Sequence, residues 1–363
     1  MMTISEFFLN GDASCINANN GNEKGCEIEK IKGWTVSNGT VSFSAIEFGC
    51  TITNLFVPDK NGRKIDVLLG FDDFDGWKNG TASHNAVVGR FANRIGGASF
   101  VLDGKKYSLD KNDGENCLHG GFFRYEKQFW NGKPFENANE TGIIFTRTSP
   151  NGEQNFPGNL KIKVVYTLNE KNQLKIEYFA ETDAPTPVNL TNHAYFNLNG
   201  KGDILDHEVF LDCEKILKIK NMIPTGGFVD VSRPENKAFD FRKPKKIRED
   251  FDAVKADSST RGYDHCFVTK ACETKTVFAG FCKSENSGIK MNIFTNQRGI
   301  QLYTGNWLCC KGKNGGTQSA QSGICFEAER FPDSMNHENF PSCILLPGEE
   351  YHQITVYEFE SEF

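Results

Sequence analysis

Along this chain hydrophobic and polar positions alternate with a dominant period of two. "TVSFSAIEFGCTITNLFV" (Thr40 to Val57), "KIDVLLGF", "TGIIFTRTS", "MNIFTNQRGIQLYTGNW" and "HQITVYEFE" are rich in Val, Ile, Phe, Tyr and Thr, and turn residues fall between them. The pattern predicts many short strands, each burying one face. Two hairpins can be read directly. One is "SFVLDGKKYSL", with an Asp-Gly turn at Asp103-Gly104; the other is "LKIKVVYTLNEKNQLKIEYFAE", where Asn169 to Asn172 reverses two alternating runs. The chain shows no strand-helix-strand alternation, no repeat with a period of roughly 20 to 50 residues, and no low-complexity linker. The expected architecture is therefore all-β: a large antiparallel β-sandwich forming one domain over residues 1–363. Few short helices are expected, around Asp72 to Trp77 and Asp333 to Asn339. The first forty or so residues, with "NGDASCINANNGNEKGCEIEK", are expected to be an extra strand or a loose tail.

Composition agrees with a globular reading. The 363 residues are 38% hydrophobic, enough for a substantial core, and 31 phenylalanines suit the layer between packed sheets. The formal net charge of -6 offers no general attraction to nucleic acid or anionic lipid. The basic cluster Arg242, Lys243, Lys245, Lys246 and Arg248 runs straight into acidic residues and reads as a solvated face. No basic region precedes an apolar stretch at the N-terminus, and no run of about 18 apolar residues suggests a membrane span. Twelve cysteines are scattered without Cys-x-x-Cys spacing, which predicts reduced thiols and a cytoplasmic location. Asn189 matches a glycosylation acceptor, yet it lies in a chemically loaded segment, which also argues for the cytosol.

Five segments place charged or imidazole groups beside glycine or aromatics: "GRFANRIGGASF", "NCLHGG", "VNLTNHAYFNLNG", "GYDHCF" and "GICFEAERFPDSMN". Taken singly, each has a structural explanation: a satisfied histidine, an ion-paired Arg94, an exposed strand Glu327. Only the set is informative. Strand alternation would put His193, Tyr195 and Asn197 on one face, with Asn192 and Ala194 on the other. Such a row of polar groups is costly in a core, about 1 to 3 kcal/mol for each unsatisfied group, and suits a cleft that meets a hydroxyl-rich ligand. Tyr195, Phe196 and Trp307 are candidates to pack on the C-H face of a pyranose.

Together these segments resemble the aldose 1-epimerase (galactose mutarotase) family. The carriers are Asn93-Arg94-Ile95, Leu118 to Gly121, Thr191 to Leu198, Asp264-His265, Gln301 to Asn306, Glu327 with Pro332-Asp333, and Leu346 to Tyr351, in unbroken order from about Ile46 onward. The resemblance implies a β-supersandwich with an open cleft that interconverts the α and β anomers of free hexoses such as galactose and glucose, with no cofactor and no metal. It further implies Glu327 as base and His193 as acid on opposite sides of the sugar, with His119 assisting at the ring oxygen. Asn93, Arg94, Tyr195, Asp264 and Gln301 would complete the binding set. The implied partner is a free monosaccharide, and the implied state a monomer or weak dimer.

Glu329 departs from the family pattern and is a rival base, on the same strand face as Glu327. Four other readings compete. A glycosidase could pair Asp264 with Glu327, but two histidines would then lack a purpose. A sugar-phosphate epimerase needs a second cation near Arg94. A non-catalytic sugar-binding protein has no use for both His193 and Glu327. A metal site finds no recognised ligand spacing among His84, His119, His193 and His265. On charge alone, Asp264 and Glu327 should raise the pKa of His193, while hydrogen bonds should hold Glu327 down.

Overall fold

The computed structural model describes residues 2–11 and 30–361. Three antiparallel sheets dominate. One has five strands from the N-terminal part, Thr3–Asn10, Lys30–Ser37, Ser42–Ile46, Ile52–Pro58 and Lys64–Asp66, paired in chain order. The leading residues thus supply a strand, Thr3–Asn10, against Lys30–Ser37, while most of "NGDASCINANNGNEKGCEIEK" lies outside the described residues.

A nine-stranded sheet runs from Asn131–Glu136 at one edge to Lys245–Lys246 at the other, and the C-terminal strand Tyr351–Ser361 sits between Gln173–Thr182 and Ile289–Thr295. The third sheet orders Ile223–Asp230, Lys215–Lys220, Asp264–Val268, Gly299–Tyr303 and Cys325–Glu329. One buried cluster joins all three: Trp34 and Phe43 from the first, Tyr166 and Tyr357 from the second, Leu302 and Phe326 from the third. This is the all-β, antiparallel sandwich that the alternation predicts.

Both hairpins form where the turn chemistry places them. Asp103 and Gly104 have φ of 51° and 75°, the left-handed pair that a two-residue turn needs between Ser99–Leu102 and Lys105–Ser108. Leu160–Asn169 pairs with Gln173–Thr182, and Asn169 Oδ1 accepts from the backbone N-H of Lys171. The helix near Asp72 is Phe74–Asn79, capped by Asp73 Oδ1 accepting from Gly76 N. Near Asp333 only a 3-10 turn, Ser334–Asn336, forms. A short helix at Phe251–Lys255 has no counterpart in the sequence reading.

"VNLTNHAYFNLNG" corrects the strand reading. Only Thr191–Asn192 is a strand, paired with Val87–Val88, and the remainder is irregular. Its hydrogen-bonding capacity is spent mainly on binding loops together. Asn192 donates to Asn85 O and Tyr166 Oη, and Asn197 donates to Gly202 O and Ser322 O, so Asn197 is a buried brace away from any cleft. Phe196 is likewise core. Asn189 is fully buried, which leaves no room for a glycan.

The basic cluster is neutralised locally, through Arg242 with Asp240, Lys245 with Asp250, Lys246 with Glu285 and Arg248 with Asp206. All ten cysteines among the described residues are free thiols. Among the described residues no helix is long and apolar enough to cross a membrane.

Candidate active site

The third sheet builds the site by register. Asp264, Tyr303 and Cys325 lie on one rung across three strands, Cys266, Gln301 and Glu327 on the next, and Val268, Gly299 and Glu329 on the one after. Directly opposed residues share a face and the side-chain period is two, so all nine positions face the same way. The opposite face carries Phe267, Ile300, Leu302, Phe326 and Ala328, all buried in the core. Alternation in "GICFEAER" thus separates a polar cavity wall from an apolar anchor. Gly299 is needed at its rung, because a Cβ there would come within 2.8 Å of Cys266 Sγ.

A cavity of about 430 Å³ opens over this wall. Asn93, Arg94, His119, His193, Tyr195, Asp264, Gln301 and Glu327 all line it, so the structure brings the expected residues together from six separate segments. Glu329 does not line it: Glu327 retains 3% exposure, whereas Glu329 is completely buried behind it. Trp307 stands half-exposed at the rim, with the Arg261 guanidinium 4.0 Å from its ring centroid.

Side chains are held by specific partners. Arg94 Nε donates to Asp113 Oδ2 at 2.8 Å, and its Nη1 lies 4.0 Å from Asp264 Oδ2. Gln301 Nε2 donates to the other Asp264 oxygen at 2.5 Å. The backbone N-H of Asn93 donates to His119 Nδ1 at 3.1 Å, which leaves the ring proton on Nε2 as a fixed donor. His193 Nε2 stands 3.6 Å from Glu327 Oε1, with Cys325 Sγ 3.5 Å from its Nδ1. The Tyr195 ring packs against it at 4.9 Å between centroids and itself packs on His84.

Asp113, Arg124 and Tyr303 also line the cavity and were not singled out in the sequence. Tyr303 lay within the Gln301 to Asn306 motif and could have been chosen by its alternation with Gln301. Asp113 and Arg124 come from loops, and no periodicity marks them.

Burial reverses the titration expected from charge alone. Removal from water lowers His193 to about 3, with His84 and Arg124 adding to the effect. His119 is held well below the ordinary histidine value, first by burial and then by His193 and the two nearby arginines. Glu327 is pushed well above the carboxylate range by burial, by Glu329 and by Asp264, against the opposing pull of Arg94. The raised His193 and depressed Glu327 of the sequence reading are thus both corrected: desolvation of the charged form outweighs the attraction between partners.

A β-sandwich whose cavity combines a carboxyl-imidazole pair with fixed hydroxyl-binding groups is the frame of an acid-base enzyme acting on a small polar molecule. The chain belongs to the aldose 1-epimerase family, whose model matches residues 32–358, and is thus an isomerase. It is 41% identical over 319 residues to the galactose mutarotase of Bos taurus, covering 86% of this chain and 90% of the bovine protein. It is 33% identical to the aldose 1-epimerase of Escherichia coli (strain K12), covering 90% and 94% of the two chains. The crystal structure of a GalM/aldose epimerase homologue from C. elegans superposes with a TM-score of 0.82 at 32% identity, covering 90% of this chain and 97% of that one. A galactose 1-epimerase from Lactobacillus acidophilus NCFM has the same fold, with a TM-score of 0.82 at 24% identity over 99% and 100% of the two chains.

Proposed function

We propose that this protein is a mutarotase that interconverts the α and β anomers of free hexoses such as galactose and glucose, with Glu327 and His193 as its proton-transferring pair. The observation that carries this reading is the 3.6 Å approach of His193 Nε2 to Glu327 Oε1 on the cavity wall. Ring opening of a hemiacetal removes a proton from the O1 hydroxyl and delivers one to the ring oxygen. The pair holds one exchangeable proton. When a sugar enters between the two groups and that proton resides on His193, Glu327 accepts the O1 proton and His193 protonates the ring oxygen. Rotation about C1-C2 then exposes the other carbonyl face, and closure returns both protons in reverse. His119, with its proton on Nε2, donates toward the ring oxygen and stabilises developing charge.

Asp264, fixed by Gln301 and Arg94, is an acceptor for sugar hydroxyls, and Asn93, Arg94 and Gln301 supply donors. Tyr195 closes the wall beside His193. A neutral sugar fits better than a phosphorylated one, because both arginines at the cavity are already engaged: Arg94 with Asp113, and Arg124 with Glu126 at 2.7 Å. The free thiols suit a cytoplasmic setting and a place in hexose and galactose metabolism.

The pH dependence of the specificity constant for galactose tests this assignment. His193, lowered to about 3, takes a second proton only in strong acid. Glu327, raised by burial, gives up the pair's proton only well above the carboxylate range. The expected profile is a plateau that runs through the ordinary histidine value without an inflection there and ends in an alkaline limb well above the carboxylate range. An acid-base inflection at that value would overturn the assignment.

A further inference from the structure

We propose that Glu329, from behind the cavity wall, is a positioning residue: its carboxyl holds Asn93, and through Asn93 His119, and governs the pH at which the Glu327–His193 pair gives up its proton. The inference rests on the reading of Glu327 and His193 given above. Its geometric basis is the register of Cys325–Glu329, which puts Glu327 and Glu329 on one face two residues apart. Glu329 reaches no solvent and cannot touch a ligand in the cavity. Asn93 Nδ2 donates to Glu329 Oε1 at 2.9 Å, and Asn189 Nδ2 approaches the other oxygen at 3.5 Å. The Asn93 backbone in turn exchanges two contacts with His119, its N-H donating to Nδ1 and its C=O accepting from the His119 N-H, both at 3.1 Å. Glu329, Asn93 and His119 therefore form one connected chain from the core to the cavity.

No lysine or arginine makes a close ion pair with Glu329 among the described residues. The titratable and charged groups facing the two carboxyls are Tyr303 on the adjacent strand, Asp264 and Cys266 one strand beyond it, Cys325 on their own strand, His193 and Tyr195 beside Glu327, Tyr351 and Tyr357 from the C-terminal strand, and Arg94. Arg94 is the single cation in that set and is shared with Asp113 and Asp264. Burial raises Glu329 to about 8, and the Glu329 carboxyl in turn raises Glu327. A second carboxylate behind the first opposes loss of its proton. The sign follows: removing the charge of Glu329 lets Glu327 ionise at lower pH, and activity fails earlier as pH rises.

Glu329→Gln keeps an acceptor for Asn93 and removes only the charge. The alkaline limb of kcat/KM should move down by about one pH unit or more, with KM at pH 6 within about 3-fold of the wild-type value. Glu329→Asp, which keeps the charge, should leave the limb near its original position, and Glu329→Ala should both shift the limb and raise KM. A residue of purely structural importance would lower activity at every pH without moving the limb, and an unmoved limb in Glu329→Gln overturns the proposal. Should that variant fail to fold, a 13C titration of glutamate carboxyls in the unaltered protein reads the same coupling. Two buried resonances should each respond to the other's ionisation; two independent single-step curves would overturn it. Failure of the underlying reading is recognised separately, as an active Glu327→Gln enzyme.

Discussion

Glu327→Gln is expected to lower kcat for mutarotation at least ~100-fold, the loss that follows removal of a general acid or base. The substitution keeps volume and shape at a nearly fully buried position. It also removes a group whose ionisation is resisted by burial, Glu329 and Asp264, so the thermal midpoint should be equal to or above that of the unaltered protein. Loss of activity without loss of stability is the signature of a residue kept for chemistry. Glu329→Gln should do far less at the optimum pH. An inactive Glu329→Gln with an active Glu327→Gln would exchange the two assignments.

Replacement of His193 carries the second large effect. His193→Ala should also lose at least ~100-fold in kcat, because among the described residues His193 is the imidazole that stands within 3.6 Å of Glu327. Its combination with Glu327→Gln separates a working pair from two independent contributors. When two groups exchange one proton, removing either disables both, so the double variant should fall no more than about 10-fold below the weaker single variant. Multiplication of the two losses would mean that the groups act independently. Measured by following anomer exchange at saturating galactose, the comparison is insensitive to any change in sugar affinity.

How much of this was legible in the sequence depends on which interaction fixes each feature. Period-two alternation gave the sheets because a strand with one buried face has no other way to distribute its side chains. The site wall was readable for the same reason: Cys325, Glu327 and Glu329 alternate with Phe326 and Ala328. The segment from Val188 to Gly200 was misread as a strand because its polar side chains looked like a row, whereas Asn192 and Asn197 act individually on the backbone of other loops. Asp113 and Arg124 escaped notice because they arrive on loops, whose paths are not encoded by periodicity.

The titration of the pair was predicted with the wrong sign. Charges can be counted in a sequence, but the depth at which they lie cannot, and here desolvation is the larger influence on both His193 and Glu327.

The most direct measurement is polarimetry of freshly dissolved α-D-galactose and α-D-glucose with purified protein. The account predicts that catalytic amounts speed the approach to the equilibrium rotation, that the endpoint is unchanged, and that Glu327→Gln abolishes the acceleration. Rotation that decays at the buffer rate with active-site residues intact would contradict it.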